Sequence, residues 1–185
     1  MRTLKKFLAG ILVCALAILP LAGCSGAIPD DTSKLEARME ILEAVNDFRA
    51  ESGLVSVSEN VALTNAECLT LEVFREAGAA QVSYSAYKEA RDEADRVYFY
   101  NERSGEIEYP YSFVAGTFGL RTSEESDTAV LLCKYRKGAV LDQIESNRTL
   151  NSQLQYSSPD AGQLQIGIGI VTVGGETYWC VRLYD

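Results

Sequence analysis

The 185-residue chain carries 26 acidic against 17 basic side chains and no histidine. So acidic a surface is repelled by phosphate backbones, which argues against nucleic-acid binding. The missing imidazole removes Ser-His-Asp and Cys-His catalysis. With 47% hydrophobic and 23% charged residues, the composition is that of a folded globular protein, neither disordered nor collagenous.

The first 24 residues, MRTLKKFLAGILVCALAILPLAGC, place three basic residues (Arg2, Lys5, Lys6) before an apolar run from Phe7 to Leu19. The run is short for a membrane-spanning helix and has the layout of an export signal. Its ending, Leu21-Ala22-Gly23-Cys24, resembles the bacterial lipobox, which implies a signal peptide over 1–23 and lipidation of Cys24. The anchor so implied carries two or three acyl chains, enough for stable attachment where a single chain is marginal. Residues 24–33 then read as a tether of small and turn-forming residues. Beyond Cys24 there remain 14 basic and 26 acidic side chains, a formal charge of −12. Residues 34–185 are expected to form a single domain.

Within 34–185, Leu35, Met39, Leu42, Val45 and Phe48 recur at helical spacing, which predicts a helix over 34–52 stopped by Gly53. After the extended LVSV, Ser58 is read as the cap of a second helix running to Ala77, with Leu63, Ala66, Thr70, Val73, Phe74 and Ala77 inward and Gly78 as its stop. A further helical piece is expected over 83–96. Strands are expected over 97–100, 109–114 and 128–135, and helix again over 139–155. The closing stretch, from Gln163 to Asp185, reads as two strands joined at Gly174-Gly175. On its first strand Ile166, Ile168 and Ile170 share a face opposite the bare Gly167 and Gly169. On its second, Thr177, Trp179, Val181 and Leu183 oppose Tyr178, Cys180 and Tyr184. A hairpin apolar on both sides calls for helices above and below it, an α+β arrangement.

Two stretches resemble the CAP superfamily of cysteine-rich secretory, antigen 5 and pathogenesis-related proteins. One is ILEAVNDFRAESGLVSVSENVALTNAECLTLEVF, with Val45-Asn46, Arg49 and Gly53-Leu54; the other is IGIGIVTVGGETYWCVRLYD, with Ile166-Gly167-Ile168-Gly169 and Tyr178-Trp179. The resemblance implies a three-layer α-β-α sandwich with a mostly antiparallel central sheet and a C-terminal β-hairpin. It also implies, in many members, a cleft where two histidines and two acids hold a divalent metal. Aligned on the family's "WxxSxxH" helix, Ile144, Asn147 and Leu150 stand where the tryptophan, serine and histidine would be, and the strand acid falls near Leu131 or Leu132. No family site residue carries over, so the expectation is no metal and no cofactor.

Other chemistry is sparse. Cys68, Cys133 and Cys180 are scattered without a C-x-x-C pair; in an oxidising compartment Cys133 with Cys180 is the first pairing to test, the alternative being three buried thiols. Tyr98, Tyr100, Tyr109 and Tyr111, with Phe99 among them, concentrate aromatic surface. They either line a groove for a peptide, glycan or lipid ligand or pack as half-buried strand residues. The expected function is a membrane-anchored, extracytoplasmic, non-catalytic CAP-like binding module of a bacterial envelope. The rival is an envelope hydrolase using carboxylates or a Ser-Lys pair in a rebuilt cleft.

Overall fold

In the computed structural model, residues 32–108, 113–117, 121–122, 129–157 and 164–184 are described. The first element is helix α1 (Thr32–Glu51). Its buried track is Ala37, Ile41, Ala44, Val45 and Phe48, whereas Leu35 and Met39 are exposed at 41% and 63%. The expected stripe therefore holds from Leu42 onward, Leu42 being half-buried against the core, and is rotated before it. Stepping back from Val45 by fours gives Ile41 and Ala37, small and branched residues that seat the helix close to its neighbours.

Strand β1 (Ser58–Glu59) follows the LVSV segment. Ser58 is thus a strand residue, and the cap of helix α2 (Val61–Thr70) is Asn60, whose Oδ1 accepts from the N–H groups of Ala62 and Leu63. The single helix expected to Ala77 is broken at Leu71, and α3 (Glu72–Ala77) ends at Gly78 in the left-handed region, φ 62°. Strand β2 (Gln81–Ser83) leads into α4 (Tyr84–Phe99), capped by the Ser83 hydroxyl. Helix extends through Tyr98 and Phe99, where a strand was expected. Phe99 is drawn into a cluster with Leu63, Ala66 and Tyr184, and that packing overrides the β-propensity of the aromatic run.

Strands β3 (Tyr100–Asn101) and β4 (Glu106–Ile107) form a small hairpin, followed by β5 (Phe113–Thr117) and β6 (Arg121–Thr122). The strand expected over 128–135 splits into β7 (Ala129–Leu131) and β8 (Cys133–Lys134), which serve different sheets. Helix likewise divides at Asn147 into α5 (Val140–Ser146) and α6 (Arg148–Leu154), the Asn147 Oδ1 accepting from Leu150 N at 3.2 Å. The hairpin of β9 (Gln165–Val173) and β10 (Glu176–Tyr184) closes the chain as expected, with Gly174 and Gly175 at φ 59° and 82°.

The fold is α+β. Its main sheet runs β1-β9-β10-β5, and β8 shares the β5 edge of β10 nearer the turn. All pairings are antiparallel except the parallel β1–β9. A second sheet has the order β2-β7-β6. Ile166, Ile168, Ile170, Trp179, Val181 and Leu183 meet α1, α5 and α6 in the largest apolar cluster. On the opposite face α2 lies against β9, because Gly167 and Gly169 carry no side chain: a Cβ at Gly169 would come within 2.9 Å of Leu71 and 3.0 Å of Glu67.

Candidate functional site

The tyrosines do not form a common wall among the described residues. Tyr98, half-buried on α4, packs against the Leu63–Ala66–Phe99–Tyr184 cluster, and burial, then nearby Cys68, raises its phenol above the ordinary value. Tyr100 begins β3 and is 52% exposed. Tyr109, Tyr111 and Cys24, the expected lipidation site, lie outside the described residues.

Of the two alternatives for Cys133 and Cys180, a bridge or separate thiols, the structure has the second: both thiols are free. Cys133 is paired across the ladder with Trp179, so its side chain stands on the face of Trp179 and packs with the Ile166–Ile168–Ile170 cluster. Cys180, the next residue along, points the other way toward α2. One residue of register puts the sheet between them, and burial pushes the Cys133 thiol up to about 11.

Besides Arg49 of α1, three charged side chains lie almost wholly inside, close to one another: Glu67 of α2 is 0% exposed, Arg182 of β10 1% and Asp95 of α4 1%. Arg182 Nε pairs with Glu67 Oε1, and its Nη1 donates to the Tyr184 hydroxyl at 3.0 Å. The Cys180 thiol donates to the other Glu67 oxygen at 3.8 Å, and Asp95 pairs with Arg91 of the same helix at 3.5 Å. Backbone geometry makes the space. In register Arg182 lies between Gly167 of β9 and Gly116 of β5, so the guanidinium has a bare position on either side. Burial raises the Glu67 carboxyl, a shift opposed by Arg182 and reinforced by Asp95. Arg182 is held firmly charged: burial works against the charge, but Glu67, Tyr87 and Tyr184 outweigh it.

Such a pair ties helix to sheet. It offers no route for a substrate, since both charges are sealed by α2, and losing either partner leaves a buried ion at a cost of about 3–5 kcal/mol. Glu67 and Arg182 are absent from the expected site residues, although the sequence carries a signal for them. Glu67 falls in the helical track of Leu63, Thr70 and Phe74, and Arg182 in the alternation Tyr178, Cys180, Tyr184. Two opposite charges in two apolar stripes that face each other are a complementary pair.

The signature residues of the first stretch turn out to be clamps. Arg49, 1% exposed, donates from Nε to Val55 O at 2.7 Å and from Nη1 to Leu154 O and Tyr156 O at 2.7 and 2.9 Å. Asn46 binds both backbone groups of Val57, accepting at 2.8 Å and donating at 3.1 Å. Together they fasten the LVSV segment and the end of α6 to α1. Leu150, aligned with the family's histidine, is 2% exposed beside Ile144 and Leu154 in the main cluster.

Open recesses hold little catalytic equipment. One recess of about 630 Å³ along α4 contains Ser85 and Lys88, but Lys88 pairs with Asp92 and the Ser85 hydroxyl shares a 3.0 Å hydrogen bond with Ser83. Among the described residues no three acids or thiols converge as a metal site, and no helix is long and apolar enough to cross a membrane. Compared with known proteins, the chain matches no family model, no curated protein and no solved structure.

Proposed function

We propose that this chain is a membrane-anchored, extracytoplasmic CAP-like module that binds rather than catalyses, its helices enclosing the main sheet in a three-layer α-β-α sandwich. The observation that carries the reading is the sealing of Glu67 and Arg182: the buried ion pair of the described residues is spent on holding α2 to the sheet. The apolar filling at Leu150 supports it, since a cleft that had exchanged imidazole for another catalytic group would keep a polar side chain there. The lipobox-like Leu21-Ala22-Gly23-Cys24 supports the anchor, and the two stretches that resemble the family support the module.

The anchor is tested by Cys24→Ala followed by fractionation of cells. Release of the protein from the membrane fraction is the expected result; unchanged fractionation removes the lipid-anchor reading. The rival hydrolase is tested separately, with peptidoglycan and ester substrates. Turnover lost in Ser85→Ala or Lys88→Met would make the chain an enzyme.

A further inference from the structure

The outer side of the α2–α3 and α4 pair carries a groove of about 370 Å³. The helices run antiparallel: Leu69 and Val73 sit beside Ala86 and Ala90 at the start of α4, whereas Leu63 and Ala66 meet Phe99 at its end. Leu69, Val73, Ala86 and Ala90 form an apolar floor, none of them fully buried. Val97, 60% exposed, continues the α4 stripe seven residues beyond Ala90. From Ala86 to Val97 the stripe is roughly 16 Å long, room for about three turns of an added helix. The alanines leave the backbone of α4 open to close approach.

Acids alone rim this floor: Glu72 and Glu76 on one side, Glu89 and Glu93 on the other. Glu72 and Glu93 are offset by Arg75 and Arg96 of their own helices. Among the described residues Glu76 and Glu89 have no ion-pair partner, and they face each other's helix across the groove. An occupant must therefore be apolar along one line and positive on both flanks. A bare acyl chain would satisfy the floor and leave the rim uncompensated. A helix with apolar anchors at i, i+3, i+4 and i+7 and lysines or arginines beside them satisfies both. The formal −12 of the chain beyond Cys24 would steer such a cation in and an anionic lipid surface away.

We propose that the groove between α2–α3 and α4 docks a cationic amphipathic helix of a partner protein. The inference rests on the reading of the chain as a binding module and names the partner's chemistry. It is tested with the full chain in phosphatidylcholine nanodiscs, empty nanodiscs serving as the blank. The probe is a fluorescent 18-residue Leu/Lys/Gln peptide with its leucines in one helical stripe, and a second peptide of the same composition has its leucines scattered. Striped-peptide binding that weakens at least tenfold in Glu76→Lys/Glu89→Lys and at least threefold in Val73→Ser is expected; the scattered peptide should bind at least tenfold more weakly. Glu76 and Glu89 are exposed and Val73 is half-buried against the Leu71–Phe74 cluster, so an unchanged circular dichroism spectrum and urea midpoint are required to show each variant folded. No binding, equal binding of the two peptides, or equal binding to the variants overturns the proposal, as does concentration-dependent self-association blocked by Val73→Ser, which would make a second copy the occupant. Failure here leaves the module reading standing, because that reading falls only to the substrate assays with Ser85→Ala and Lys88→Met.

Discussion

The two faces of the β9–β10 hairpin are built from the same nine-residue strands and solve opposite problems. On one, isoleucines 166, 168 and 170 with Trp179, Val181 and Leu183 meet α1, α5 and α6 through apolar side chains, with no buried charge on the hairpin's side. On the other, Gly167 and Gly169 let α2 approach to van der Waals distance, and the space left is filled by Arg182, Glu67 and Tyr184. The apolar face is driven by area and tolerates many hydrophobic residues of similar volume. The charged face depends on matched partners, so one change there removes far more than the atoms deleted.

The largest expected effect breaks that contrast directly. Arg182→Met and Glu67→Leu should each lower stability by about 3–5 kcal/mol, whereas the double variant should recover most of the loss, because no buried ion then remains. Trp179→Ala on the apolar face should also cost about 3–5 kcal/mol, with no rescue from Arg182→Met. Urea midpoints of wild type and the five variants, the Trp179→Ala/Arg182→Met combination included, decide it. If the double variant is as unstable as the two singles added, Arg182 and Glu67 are not a coupled pair and the two faces do not differ in kind.

A middle-sized effect sharpens the contrast through the thiol on the apolar side. Burial holds Cys133 up to about 11 in the folded protein, against 9.0 for an ordinary thiol. Its folded value is the raised one. The contribution is thus fully present below pH 9 and is lost as pH climbs from 9 through 11, where the unfolded chain ionises and the folded one resists. Two units correspond to about 2.7 kcal/mol. Unfolding followed between pH 8 and 11.5 should show wild type losing that much more stability than Cys133→Val. Parallel curves would mean that Cys133 is not desolvated and that the face accepts charge.

What the sequence made legible is what repeats along it. The final hairpin, its turn glycines and the division of Ile166–Ile168–Ile170 from Gly167–Gly169 all follow from alternation, and the helices around Phe48, Leu63 and Ala94 from their spacing. Breaks were harder. Leu71 and Asn147 interrupt helices without glycine or proline, and Leu132 passes from one sheet to another through a bond from its N–H to Ala80 O. Such changes of direction are set by distant partners that no local window contains. Asn46 and Arg49 stand out in the sequence only as points of a family resemblance and are hydrogen-bonding clamps in the structure, a role that depends on Val57 and Leu154 being brought to α1. Glu67 and Arg182 were readable only by laying a helical stripe against a strand, a comparison across 115 positions of chain.

The smallest expected effect concerns the apolar face at Leu150. The side chain lies 2% exposed with Ile144 and Leu154 at 0%, all three in the cluster that Trp179 and the isoleucines complete. A divalent ion placed there would meet hydrocarbon on every side and would lose its water without gaining a ligand. Zinc at millimolar concentration should therefore leave the melting temperature of the protein unmoved. Occupancy at a hundredfold excess over a dissociation constant would add about 2.7 kcal/mol, or roughly 2–4 °C for a domain of this size. Replacing Leu150 by His should lower the melting temperature instead, because an imidazole in that cluster has no partner, and zinc should not restore it: a single ligand does not make a site that needs three or four. A zinc-dependent rise of 2–4 °C in the unaltered protein would show that this face holds polar ligands after all, and the distinction between the two sides of the hairpin would have to be redrawn.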